Sequence, residues 1–100
     1  MWLIKQVSTN KKQFLSLLLL ADEQESMIDR YLDRGDLFVM YVDEATWITV
    51  AVVTEEEEGV YELKNLAVDP AYQRKGIGRQ MVDFLCRHYQ QTGHTLLVGT

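Results

Sequence analysis

The sequence predicts an α+β domain built around one core, and three observations carry that expectation. Leu37 to Val42 and Thr46 to Val53 are rich in β-branched and aromatic residues and are joined by the short polar stretch Asp43-Glu44-Ala45, as two antiparallel strands on a turn would be. Segments with apolar residues at helical spacing lie before this pair and after the next strand. A length of 100 residues, 47% hydrophobic and 25% charged, suits one globular domain spanning residues 1–100 and leaves little room for a second.

Taken in order, Trp2 to Val7 reads as a short first strand, with Trp2, Ile4 and Gln6 on one face and Leu3, Lys5 and Val7 on the other. Thr9 or Asn10 is placed to cap a helix through Phe14, Leu17, Leu18 and Ala21. A second helix, from about Asp22 to Arg34, puts Met27, Ile28, Tyr31 and Leu32 on one stripe and ends at Gly35. After the hairpin, the run Glu55 to Glu58 before Gly59 reads as a solvated turn rather than a metal site, because four adjacent acids do not surround an ion. Aromatic residues Trp2, Phe14, Tyr31, Phe38 and Trp47 fall at core-compatible spacings.

Val60 to Val68 is the next strand, and its apolar pattern changes phase. Tyr61 and Leu63 share one face, whereas Leu66 and Val68 fall on the other. A β-bulge near Lys64 and Asn65 would produce that shift, and a strand buried on both faces would also allow it. Asp69-Pro70 closes the strand. A loop then leads to a helix with Ile77, Met81, Val82, Leu85 and Tyr89 on its apolar side; Gly93 ends it, and Thr95 to Val98 begins a last strand.

The formal charge of −5 argues against nucleic acid or an anionic membrane as partner. Its distribution says more: residues 1–69 carry 6 Lys and Arg against 14 Asp and Glu, whereas residues 70–100 carry 4 against 1. A small anion would be drawn to the C-terminal third. The lone cysteine, Cys86, has no disulfide partner and reads as a buried helix residue, which fits a reducing, cytoplasmic setting. No targeting or membrane-spanning segment is evident, since the apolar run Phe14 to Ala21 is far too short. His88 and His94 read as solvent-facing or capping residues.

The strongest chemical signal is the order strand, Gln73-Arg74-Lys75-Gly76-Ile77-Gly78, helix. Glycines at a helix start let a ligand approach the backbone, and the unpaired N–H groups of the first turn favour an anion there. Arg74, Lys75 and Arg79 add local positive charge, so a phosphate or pyrophosphate is the expected ligand. A P-loop needs Ser or Thr after Gly-Lys, and a dinucleotide fingerprint needs a third small residue where Met81 stands. The hexapeptide alone leaves open a helix that merely starts at a glycine.

The longer segment Glu62-Leu63-Lys64-Asn65-Leu66-Ala67-Val68-Asp69-Pro70-Ala71-Tyr72-Gln73-Arg74-Lys75-Gly76-Ile77-Gly78 resembles the signature region of the GNAT N-acetyltransferases. Their loop pattern is Gln or Arg, two residues, Gly, any residue, then Gly or Ala, matched here at Gln73, Gly76 and Gly78. The resemblance implies a GNAT-like three-layer α/β/α fold with a mixed, mostly antiparallel sheet. It further implies acetyl-CoA as donor, with no metal. The pyrophosphate is expected on Gln73, Arg74, Lys75, Gly76, Ile77, Gly78 and Arg79, and the pantetheine arm along Leu66, Ala67 and Val68.

The implied reaction is direct attack of a primary amine, on a small molecule or peptide, upon the thioester. An ordinary alkylamine is almost fully protonated at neutral pH, so a base is needed, and the resemblance puts Glu62 in that role. Glu62 and Lys64 are equally readable as neighbours on a solvated strand face. A backbone N–H near Leu66 or Ala67 would polarise the carbonyl. The family's acceptor groove draws on the first two helices and on elements beyond residue 100, and its tyrosine acid lies in that later part. The chain is therefore expected to be incomplete after its fifth strand and to form a homo-oligomer, a dimer or a larger assembly, through the exposed last strand or exchanged elements. The alternative function is a non-catalytic acyl-CoA binding or assembly domain.

Overall fold

In the computed structural model, which describes residues 2–99, one five-stranded sheet runs in the order β1-β2-β3-β4-β5. The strands are β1 (Leu3–Val7), β2 (Asp36–Asp43), β3 (Thr46–Glu57), β4 (Val60–Val68) and β5 (Thr95–Leu97). The first four pair antiparallel, and β5 lies parallel to β4. Helices α1 (Leu15–Ala21) and α2 (Glu25–Leu32) cover one face, and α3 (Ile77–Gln90) covers the other. The α+β class and the three layers stand as expected.

Alternation along the strands divides the core. Leu37, Val39, Val50 and Val52 pack under α1 and α2 with Phe14, Leu18, Ile28 and Leu32. Phe38, Met40, Ala51 and Val53 pack under α3 with Ile77, Met81, Leu85 and Tyr89. Along its 14 residues α3 turns a single apolar stripe, Ile77, Met81, Leu85 and Tyr89, to this second set. The last turn of α3 closes as a Schellman motif: Gly93, at φ +76°, donates to Gln90 O at 3.0 Å and His94 donates to Tyr89 O at 3.0 Å.

Several local expectations are corrected. The first helix opens as a 3-10 turn over Lys11–Phe14, and Asn10 precedes it in left-handed conformation with no side-chain cap. The second helix starts at Glu25, not Asp22. Trp2 and Met27 are exposed, at 41% and 39%, because Trp2 precedes β1 and Met27 lies on the rim of the α2 stripe. Cys86 is only half-buried on the flank of α3. His88 is half-buried against Phe38, Phe84 and Tyr89 instead of facing solvent. Glu55 to Glu57 continue β3, leaving the turn to Glu58 and Gly59.

Gly35 follows α2, but not as a left-handed cap. A Cβ there would sit 2.7 Å from Tyr31 O and 2.7 Å from Val52 Cγ1, so the residue is glycine because α2 and β3 approach too closely for a side chain. Its carbonyl accepts from Lys11 Nζ at 2.7 Å, and Leu32 O accepts from the same ammonium at 3.0 Å, which satisfies carbonyls left free at the end of α2. Gly35→Ala is expected to cost about 2 kcal/mol through overpacking against backbone, read as a fall in thermal midpoint of several degrees.

Candidate functional site

The site begins with the phase of β4. Val52 pairs with Asn65 and Val53 with Leu63, so Lys64 is the extra, bulged residue. The bulge brings Leu66 and Val68 back to the α3 face already held by Tyr61 and Leu63. Asn65 and Ala67 turn to the opposite face, Ala67 into the core under α1 and α2. The bulge accounts for the change of phase, and from Asn65 onward the strand also carries side chains into the packing on both of its faces.

The two neighbours of β4 are unequal. β3 follows its whole length, whereas β5 pairs only at Val60↔Thr95, Tyr61↔Leu96 and Glu62↔Leu97. From Leu63 onward that edge of β4 has no strand partner among the described residues. Asp69 N–H donates to Ile48 O at 2.8 Å, which makes Thr49/Val68 a non-hydrogen-bonded pair and Val50/Ala67 a bonded one. Leu66 and Val68 therefore aim their backbone N–H and C=O groups into the opening, while those of Ala67 point to β3.

At the end of β4, Asp69 Oδ1 accepts from Ala71 N–H at 2.8 Å and the chain turns through a short 3-10 segment, Pro70–Tyr72. Gln73 then reaches back, its Nε2 donating to Val68 O at 3.0 Å, so one of the open carbonyls is satisfied by the loop itself. Arg74 and Gly76 both take left-handed backbone, at φ 64° and 76°. For Arg74 that conformation is strained, and strain of this kind concentrates at ligand clamps.

α3 starts at Gly76 with no side-chain cap and no acid in its first turn. Its first N–H groups are free to meet an anion. Ile77 is buried in the core, so only its backbone can serve a ligand. Arg74, Lys75 and Arg79 are exposed and have no carboxylate within salt-bridge distance among the described residues. Lys75 Nζ lies 5.8 Å from the centre of the Tyr72 ring. Gln73, Gly76, Gly78 and the three cations thus meet at one end of the β4 opening.

Glu62 lies elsewhere. It pairs with Thr54 of β3 and Leu97 of β5, at the closed end of the gap, and its side chain is on the α1/α2 face because Tyr61 and Leu63 occupy the other. Its Oε2 accepts from Lys64 Nζ at 3.0 Å, and Lys64 also lies 3.7 Å from Glu56 Oε1. Thr54 and Arg34 donate to the Glu56 carboxylate and hold it below the usual carboxylate range.

Asn65 drew no attention in the sequence except as part of the bulge. Its amide is buried under α1 and α2, with Nδ2 3.0 Å from Leu18 O and 3.0 Å from Tyr31 Oη. Burial raises the Tyr31 phenol above its ordinary value, and the bond from Asn65 acts the other way. A polar residue inside the apolar run Leu63 to Val68 was the available signal.

Residues 33–99 match the family described as acetyltransferase (GNAT) domain. The chain is 32% identical over 90 residues to the uncharacterized N-acetyltransferase YvbK of Bacillus subtilis, covering 88% of this chain and 57% of that one. It is similar to the IAA acetyltransferase of Bacillus cereus, at 32% identity and TM-score 0.86, covering 100% of this chain and 66% of that one. A GNAT family acetyltransferase from Elizabethkingia anophelis, solved with acetyl-CoA bound, gives 28% identity and TM-score 0.89 over 99% of this chain and 65% of its own. A Bacillus subtilis acetyltransferase in complex with CoA gives 28% and 0.88, over 100% and 66%. The chain thus spans 57% of the curated relative and about two thirds of these structures.

The two loop glycines differ in what they tolerate. A Cβ at Gly78 would make ordinary contact with Val68 Cγ2 at 3.6 Å and Leu66 at 3.9 Å, whereas Gly76 is open but left-handed. Thermal melts should therefore show Gly78→Ala as stable as the parent or slightly better, and Gly76→Ala weaker by about 1 kcal/mol.

Proposed function

The chain belongs to the GNAT acetyltransferase family, and from that premise we propose that it binds acetyl-CoA in the opening beside β4 and serves transfer of the acetyl group to a primary amine. The observation that carries this reading is the coincidence of an unpaired β4 edge with an uncapped, cation-flanked start of α3. An extended amide-bearing arm would find backbone partners at Leu66 and Val68, and a pyrophosphate would find N–H groups and positive charge at residues 73–79. These needs are those of one molecule.

The Leu66 N–H, aimed into the opening, is the donor suited to the thioester oxygen, because a fixed donor stabilises the oxyanion that forms on attack. Ala67 contributes through packing. The amine arrives on the α1/α2 face, where Glu62 takes its proton, directly or through water, so that the neutral nitrogen forms the C–N bond; collapse of the oxyanion then breaks the C–S bond, and CoA leaves as a thiolate that takes up the proton the new amide nitrogen loses. Lys64 must release or share the Glu62 carboxylate for this to happen. That same ion pair favours a second reading, a domain that binds acyl-CoA without turnover.

Calorimetric titration with CoA tests the first part. Gly78→Glu, which puts bulk and negative charge between α3 and β4, is expected to weaken binding by roughly tenfold or more, and equal affinity would remove the loop from the site. A panel of primary amines, with free CoA as the readout, separates enzyme from binding domain. Glu62→Gln should lower the rate by roughly a hundredfold and flatten the loss of rate at low pH, with CoA affinity unchanged. An unaltered pH profile would return Glu62 to the solvated face.

A self-association through the free edge of β5, where Leu97 is 50% exposed, belongs to the same proposal. Light scattering over a range of concentrations should show mass rising above that of one chain. A monomer throughout would refute it.

A further inference from the structure

The amide of Asn65 is buried, 3% exposed, on the α1/α2 face of β4, one residue after the bulge. It pairs with Val52 where Glu62 pairs with Thr54, two positions away on β3. Its orientation is fixed by its partners. Leu18 O can only accept, so the NH2 group must face it, and Tyr31 accepts from the same NH2 because its own proton goes to Asp22 Oδ2 at 3.2 Å. Asp22 Oδ1 in turn accepts from Gln24 N–H at 3.2 Å. One chain of hydrogen bonds therefore runs from the bulge to the loop between α1 and α2.

Stability does not account for the asparagine. Its Oδ1 is enclosed without any donor among the described residues, and such an orphan is costly. A leucine of similar size would remove the orphan and strand nothing: Leu18 O would keep the bond from Asp22 N–H at 3.1 Å, and Tyr31 would keep its bond to Asp22. A residue that the core does not need, tied to the loop on the amine's side of the strand, has its use in placement.

We propose that Asn65 is a positioning residue that holds the α1–α2 loop, and with it the wall met by the incoming amine, in register with the bulged strand. The inference rests on the reading of this face as the amine's side. Asn65→Leu is expected to keep or raise the thermal midpoint and to leave the CoA dissociation constant unchanged. The KM for the best amine of the panel should rise roughly tenfold, and amide exchange at Asp22 and Gln24 should speed up. Tyr31→Phe should give the same KM and exchange changes, and the double variant should be no worse than either single one.

A fall in midpoint together with lost CoA affinity would make Asn65 an ordinary core residue and overturn the proposal. Unchanged loop exchange in Asn65→Leu would overturn it as well. Should the parent chain turn over no amine, the enzymatic reading fails on its own, and the exchange measurement alone decides whether Asn65 holds the loop.

Discussion

One extra residue in β4 sets the arrangement of everything around it. Without the bulge at Lys64, strict alternation would send Leu66 and Val68 toward α1 and α2, and would set Asn65 and Ala67 under α3. The two apolar pairs of the strand would then face different layers. With it, α3 receives a continuous apolar surface, and the small Ala67 meets α1, leaving room for that helix to lie close. The same local break in pairing lies where β5 stops following β4. Both faces of the strand depend on that single insertion, and the open edge begins beside it, where the three-residue β5 ends.

The charge distribution complements this geometry. Most acids lie in the first 69 residues, yet among the described residues Arg74, Lys75 and Arg79 have no carboxylate within salt-bridge distance beside the start of α3. In a chain of net charge −5, an anion is repelled at long range and drawn in only near this corner. Screening over about 8 Å at physiological salt weakens the distant repulsion more than the close attraction. In the proposed complex, binding would depend chiefly on the backbone N–H groups and the nearest cations, which act at contact distance.

What the sequence revealed and what it hid follow from the range of the interactions concerned. Gln73, Gly76 and Gly78 were legible because a loop that meets a ligand through its backbone constrains residues close together in sequence. The bulge was legible because a change of apolar phase is a local pattern. Gly35 was legible as the end of α2, but the reason it must be glycine was not, since Val52, which crowds it, lies on another element. Asn65 was hidden for the same reason: its partners Leu18 and Tyr31 lie 47 and 34 residues away. Met27 and Ile28 adjoin on the α2 stripe, and only the packed sheet decides that Ile28 is buried and Met27 exposed.

The strand β4 is thin enough to join two kinds of chemistry that would interfere if mixed. Cations gathered for a pyrophosphate would repel an ammonium and would favour the charged form of a nearby carboxylate, lessening its pull on a proton. Here the cations at the start of α3 lie on the α3 side at the far end of the opening, and Glu62 lies on the α1/α2 side at the closed end. The backbone at Leu66 and Val68 faces the gap between them. On the proposed reading, a thioester lying along that edge would be reachable from the acidic face while its phosphates stayed with the cations, so the strand would separate the two fields and let the reacting atoms meet across its edge.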